Sequence, residues 1–286
     1  MVAFAEHPTK PGQPHRVEKR DLQAQAFLEQ IKRVEKINKK PETKIAILSS
    51  AEVNIHFDQA GEPILDLPDQ VLSKLDIVTA SRHGIDQEKD IEAIKKSLLM
   101  AAKHPLVDTI GHPDRYIRLE GGITDQGEPC DPEKYWEAWE EILEEMAKNN
   151  KAFEINLNEK SRPADELLRR AAEKGLNFVL NFDAHDFDQY GKESTKTKQK
   201  WAKDEATEDD LAQLADYKKE RLQAGPGLRA IRLLMNYLRK LEELGIGQSR
   251  IINSSRERLL EFLTEERGKQ TDNLNNLKEK FENDQP

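Results

Sequence analysis

Six side chains in this sequence are of the type that holds a divalent metal, and each sits where an apolar run gives out. Glu52 follows Ile45-Ala-Ile-Leu-Ser-Ser-Ala, His83 follows Asp76-Ile-Val-Thr-Ala-Ser-Arg, and His112 follows Val107-Asp-Thr-Ile-Gly. Asp183 and His185 close Phe178-Val-Leu-Asn-Phe-Asp-Ala-His, and His7 closes Val2-Ala-Phe-Ala-Glu-His. Imidazole and carboxylate hold zinc, manganese or iron at about 2.0–2.2 Å. A buried strand that ends in such a group aims it at the carboxyl edge of a sheet or the mouth of a barrel, where α/β folds build their active sites. Five strand ends with this character point to one shared metal centre.

The elements that must position these groups alternate. Helical spacing runs from about Lys19 to Lys39, Gln87 to Ala102, Pro132 to Asn149, Ala164 to Lys174 and Leu228 to Leu244, with strand-length apolar runs between them. Asp66-Leu-Pro-Asp opens a short helix, and Ser255 is placed to cap a last helix reaching Thr264. Strands separated by helices imply a parallel sheet, open or closed into a barrel. The stretch from Gly191 to about Ala224 turns polar and reads as an insertion, set at about 192–226. The residues from Arg267 to Pro286 are polar and predict a frayed tail.

Composition narrows the class of function. The chain has 286 residues, enough for one large α/β domain, and a formal net charge of −9, which disfavours a surface that coats nucleic acid. The apolar runs are strand-sized, well short of a membrane span, and the first residues do not read as a secretory signal. A single cysteine, Cys130, cannot form an internal disulfide, which fits a reducing cytoplasm.

In order and spacing, these motifs resemble the PHP family, named for polymerase and histidinol phosphatase. The resemblance rests on Glu52-Val-Asn-Ile, Leu65-Asp-Leu-Pro, Leu75 to His83, Asp108 to Pro113, Phe153-Glu-Ile-Asn156 and Asn181 to His185, closing with Gly245 to Asn253 and Leu259 to Leu263. It covers roughly Val2 to Gly191 and resumes at Leu228 to Leu263.

The resemblance implies an α/β fold, a distorted (β/α)7-type TIM-like barrel, over residues 1–266. It implies up to three divalent ions, zinc, manganese or iron, with at least one expected here. Glu52, His83 and His112 match the ligands of one ion, with Glu52 bridging to a second. Asp183 matches a ligand of the second ion, and His7 and His185 match ligands of a third. The implied chemistry is hydrolysis of a small phosphomonoester by a metal-activated water, with Glu52, Asp183 and His185 as the catalytic set. Asn156 matches a position near the substrate pocket. Apart from the resemblance, Arg115, close after His112, reads equally as a clamp for a substrate phosphate and as a solvated loop residue.

The family's opening strand with its His-x-His pair, and the histidine loop after it, have no counterpart ahead of these motifs. The resemblance therefore implies one complete ligand set and two partial ones. Two other readings stay open: a PHP remnant that binds a ligand or partner without catalysis, and a nuclease or polymerase-associated module.

Overall fold

The computed structural model describes residues 2–6, 20–40, 46–83, 91–114, 131–157, 162–181 and 226–283. Its centre is a sheet of parallel strands: β1 (Val2–Glu6), β2 (Ile47–Phe57), β4 (Ile77–Ser81), β5 (Thr109–Ile110), β6 (Ala152–Asn156) and β7 (Asn177–Asn181), hydrogen-bonded in that order. A short β3 (Pro63–Leu65) pairs antiparallel with the far end of β2. Helices supply the crossovers that parallel pairing demands. They are α1 (Arg20–Asn38), α2 (Asp69–Leu72), α3 (Ile91–Lys103), α4 (Pro132–Lys148) and α5 (Asp165–Glu173). Within the described residues the path of strands runs from β1 to β7 as an open sheet.

Helix starts follow their local chemistry. Asp131 caps α4 by accepting from the backbone N–H groups of Glu133 (2.8 Å) and Lys134 (3.3 Å), with Pro132 behind it in the first turn. The short helix α2 begins after Pro68, not at Asp66, because the Asp66 carboxylate is occupied elsewhere, accepting from Asn54.

In-register parallel pairing puts partners on one face, and alternation divides each strand between two faces. One face is apolar: Val53, Ile55, Val78, Ile110, Phe153 and Phe178 are all buried. Trp139 of α4 packs on it, 6.3 Å from Phe153, which in turn lies 6.1 Å from Phe178. Trp136 is instead covered by the Arg170 guanidinium, 4.1 Å above its ring.

The other face changes character along the strands. At their amino ends it is apolar, with Leu48, Ile77, Ala152 and Val179 packed into one cluster. Toward their carboxyl ends it turns polar, with Glu52 and Asn54 on β2 and Glu154 and Asn156 on β6.

The C-terminal segment covers that apolar half, which corrects the expected frayed tail. Following α7 (Arg256–Glu261) and a π-helical turn (Phe262–Glu266), the chain forms α8 (Asp272–Asn283). Phe262, Leu263, Leu274 and Leu277 fill the cluster with Leu48 and Ala152. Two fully buried carboxylates explain why the polar residues between these helices are ordered. Asp76, just ahead of β4, accepts from Ser49 N–H (2.8 Å), Ser49 Oγ (2.9 Å), Asn273 Nδ2 (2.6 Å) and Thr271 Oγ1. Asp108, just ahead of β5, pairs with Lys269 (2.8 Å) and Arg267 (3.2 Å). A buried charge without such partners would cost several kcal/mol. Lys269, Thr271 and Asn273, polar residues of this segment, are therefore buried as partners of the two carboxylates. Ser255 caps α7 as its sequence implies, accepting from Arg258 N–H at 3.1 Å.

Chain contacts divide the molecule into two compact units, Met1–Asn181 with Ile246–Pro286, and Phe182–Gly245. The described part of the second unit is α6 (Pro226–Glu243), where Tyr237 and Leu241 are buried four residues apart on one helical face. The expected insertion at 192–226 lies outside the described residues but for its last position. Among the described residues, no helix is long and apolar enough to cross a membrane.

Candidate metal centre

Three of the six expected ligands meet on the polar half of the sheet. Glu52 is paired in register with Thr79 of β4, and the strand does not end there as its sequence suggests. It runs five residues further, because Ile55, His56 and Phe57 pair with β3. His83 lies two residues past the end of β4, and His112 two residues past the end of β5. His83 Nε2 is 2.9 Å from His112 Nε2, and Glu52 Oε1 is 3.1 Å from His112 Nε2 and 3.3 Å from His83 Nε2. All three side chains are buried, at 7%, 5% and 2% exposure for Glu52, His83 and His112.

These residues fit a metal ion. Donors about 2.0–2.1 Å from a tetrahedral ion lie roughly 3.3 Å from one another, close to the three separations here. Two imidazoles and a carboxylate are a donor set for zinc, manganese or iron, and three protein ligands leave a position open for substrate or water.

The surrounding hydrogen bonds prepare His83 for that role. Asp66, fully buried, accepts from Asn54 N–H (3.0 Å) and Asn54 Nδ2 (2.6 Å). This fixes the amide so that its Oδ1 faces His83 Nδ1 at 2.8 Å. An acceptor there places the imidazole proton on Nδ1, and Nε2 then presents a lone pair to His112 and Glu52. Asn54 on β2 and His83 just past β4 thus act as one unit with a carboxylate behind them.

His112 is held differently. Its backbone has φ +26°, in the left-handed region that non-glycine residues rarely enter. Its N–H donates to Glu154 Oε2, and Glu154 Oε1 accepts from Asn181 Nδ2 at 2.6 Å. Burial pushes the Glu154 carboxyl above the usual carboxylate range; His112 opposes that push and Glu52 adds to it. Gly111 allows the approach of β5 to β4 at this level. A Cβ built there would sit 2.0 Å from Ser81 Oγ and 2.9 Å from Thr79 Cγ2.

His7, Asp183, His185 and Arg115 lie outside the described residues. Asn156 ends β6, fully buried, on the same face as Glu154. Sequence reasoning missed Asn54, Asp66, Glu154 and Asn181. Asn54 had a signal, since it stands two residues after Glu52 on the same strand face. Glu154 had a weaker one: a carboxylate between Phe153 and Ile155 reads as an ordinary solvent-facing alternation, and only the register shows that this face is buried.

No protein-family model matches the chain. It is 35% identical over 143 residues to a probable phosphatase of Thermoanaerobacter sp. (strain X514), covering 49% of this chain and 53% of that protein. It is 31% identical over 188 residues to a probable phosphatase of Caldanaerobacter subterraneus, covering 65% and 64%. To the DNA polymerase/3'-5' exonuclease PolX of Bacillus subtilis it is 31% identical over 173 residues, covering 58% of this chain and 26% of that one. The chain thus spans roughly half to two thirds of the length of the phosphatases it matches. The crystal structure of histidinol phosphate phosphatase from Lactococcus lactis overlaps 70% of the chain at a TM-score of 0.38 and 18% identity, too slight a likeness to argue from. The sequence relatives bear out the kinship drawn from the strand-end motifs.

Proposed function

We propose that this chain, a relative of the polymerase and histidinol phosphatase family, is a divalent-metal-dependent hydrolase of a small phosphomonoester. The observation that carries the proposal is the convergence of Glu52, His83 and His112, with the His83 tautomer set by Asn54. A divalent ion held there would polarise a phosphoryl oxygen and lower the pKa of a bound water. Zinc, manganese and iron all suit the donor set.

The chain's own residues have distinct parts. His83 and His112 donate neutral nitrogen, and Glu52 supplies the negative charge that favours a cation over a proton at this buried point. Asp183, the second residue after Asn181 in sequence, is proposed as a ligand of a second ion, and His7 and His185 as ligands of a third. Arg115 and Asn156 are proposed to bind the substrate phosphate and its neighbourhood. We further propose that the sheet closes into a TIM-like barrel within a domain spanning residues 1–266, with residues 192–226 as an insertion. A lone cysteine fits a reducing cytoplasmic setting.

The similarity to PolX favours a second reading, cleavage of a phosphodiester in nucleic acid. The net charge of −9 weighs against it, because affinity for a polyphosphate backbone comes from neutralising cations. One assay separates the two. The purified chain, in excess manganese, is offered p-nitrophenyl phosphate and single-stranded DNA. The proposal expects monoester hydrolysis that disappears in Glu52→Gln. DNA cleavage without monoester hydrolysis would favour the nuclease, and neither activity in the metal-loaded chain would overturn the hydrolase reading.

A further inference from the structure

Glu154 is buried at the third position of β6, between Phe153 and Ile155. An ionisable side chain in such a place costs several kcal/mol unless its oxygens are occupied. Both are. One accepts from the backbone N–H of His112, beyond the end of β5, and the other from the side-chain amide of Asn181, at the end of β7. The flanking strands are thus tied together through the strand between them. The His112 end of this tie is the residue with φ +26°. Non-glycine residues hold that conformation only where the surroundings enforce it.

We propose that Glu154 is a positioning residue of the metal centre. Its carboxylate fixes the left-handed turn at His112, and the turn aims His112 Nε2 at Glu52 and His83. Asn181 holds the carboxylate in place from the far side. This rests on reading Glu52, His83 and His112 as a metal centre. Glu154 does not touch the ion; it acts through the backbone of a ligand.

The hydrogen-bond polarity makes the role testable. Glu154 presents two acceptors to two donors. In Glu154→Gln one acceptor becomes an NH2 group, which must then face either the His112 N–H or the Asn181 NH2. Adding Asn181→Asp reverses the far arm, so that the new amide can accept from His112 and donate to the new carboxylate. The same clamp is rebuilt with opposite polarity.

The experiment measures zinc affinity by competition with a chromophoric chelator, and the melting temperature of the metal-free protein beside it. The proposal expects each single variant to bind zinc about 10- to 100-fold more weakly, the usual effect of removing a partner that orients a ligand. It expects the double variant to recover most of that loss. Unchanged zinc affinity in Glu154→Gln, with only a lower melting temperature, would make Glu154 structural and overturn the proposal. If Glu154→Gln does not fold, Asn181→Ala removes one arm of the clamp at a partly exposed position, and unchanged zinc affinity there overturns it equally. A native chain that binds no zinc would remove the metal-centre reading itself. That is a different failure, distinguished by including His83→Ala as a reference.

Discussion

Gly111→Ala should damage the centre without touching a ligand. The added methyl would lie 2.0 Å from Ser81 Oγ and 2.9 Å from Thr79 Cγ2. Non-bonded heavy atoms rest at about 3.5–4.0 Å, so the Ser81 and Thr79 side chains, or the strand that carries them, must shift at this level. Overpacking of this kind costs about 1–3 kcal/mol. In a domain of this size that is a melting temperature lower by about 2–4 °C for each kcal/mol. The effect on metal should be larger in proportion. His112 is the next residue, and metal–ligand distances tolerate only about 0.2 Å.

The assay is zinc affinity together with thermal unfolding, for Gly111→Ala, Ser81→Ala and the pair. Ser81 Oγ is buried and has no hydrogen-bond partner among the described residues, so Ser81→Ala should be close to neutral. It removes the atom nearest the new methyl, so the double variant should regain most of both losses. Native zinc affinity in Gly111→Ala would refute the reasoning, as would a double variant no better than the single one.

Much of the centre was legible because a buried parallel strand leaves a clean trace. Val78 and Ala80 precede His83, and Val107 and Ile110 precede His112, so each histidine stands out at the end of an apolar run. Glu52 was equally visible as a carboxylate in such a run. What hid the continuation of β2 past it was β3, whose pairing partner cannot be read from three residues. Glu154 and Asn181 were illegible for a related reason. Their importance comes from register across three strands, and no local pattern encodes register. The C-terminal segment was misjudged on composition. Among the described residues, Leu274 and Leu277 mark α8 as buried, while Thr271 and Asn273 look like solvent-facing residues until Asp76 is seen to need them. Asp76 and Asp108, carboxylates at the start of buried strands, were the available clue that donors must come from elsewhere.

Three further outcomes follow from particular contacts. Asn54→Leu removes the acceptor that sets the His83 tautomer and should weaken zinc binding about 10- to 100-fold; native affinity by chelator competition would contradict the relay. Leu274→Ala, deep in the cluster over the sheet, should cost about 2–5 kcal/mol in urea unfolding, whereas a frayed tail would leave stability unchanged. Lys151 is 1% exposed, and burial, reinforced by Arg267, lowers its pKa from 10.5 to about 7. Between those values the unfolded chain binds one more proton than the folded one, so this residue adds stability as pH rises above 7, at up to about 1.4 kcal/mol per unit. Urea unfolding of the native chain and Lys151→Met at pH 7 and pH 9 should show the native chain gaining on the variant; parallel curves would refute it.

The central claim is that Glu52, His83 and His112 bind one divalent ion together. X-ray absorption on the zinc-loaded chain tests it most directly, because it reads the ion's neighbours and not the activity. A nitrogen and oxygen shell at about 2.0–2.1 Å is expected, with the outer-shell scattering of imidazole rings. His83→Ala combined with His112→Ala should lose both that signature and stoichiometric zinc. Zinc held at full stoichiometry, with the same imidazole signature, in the folded double variant would contradict it.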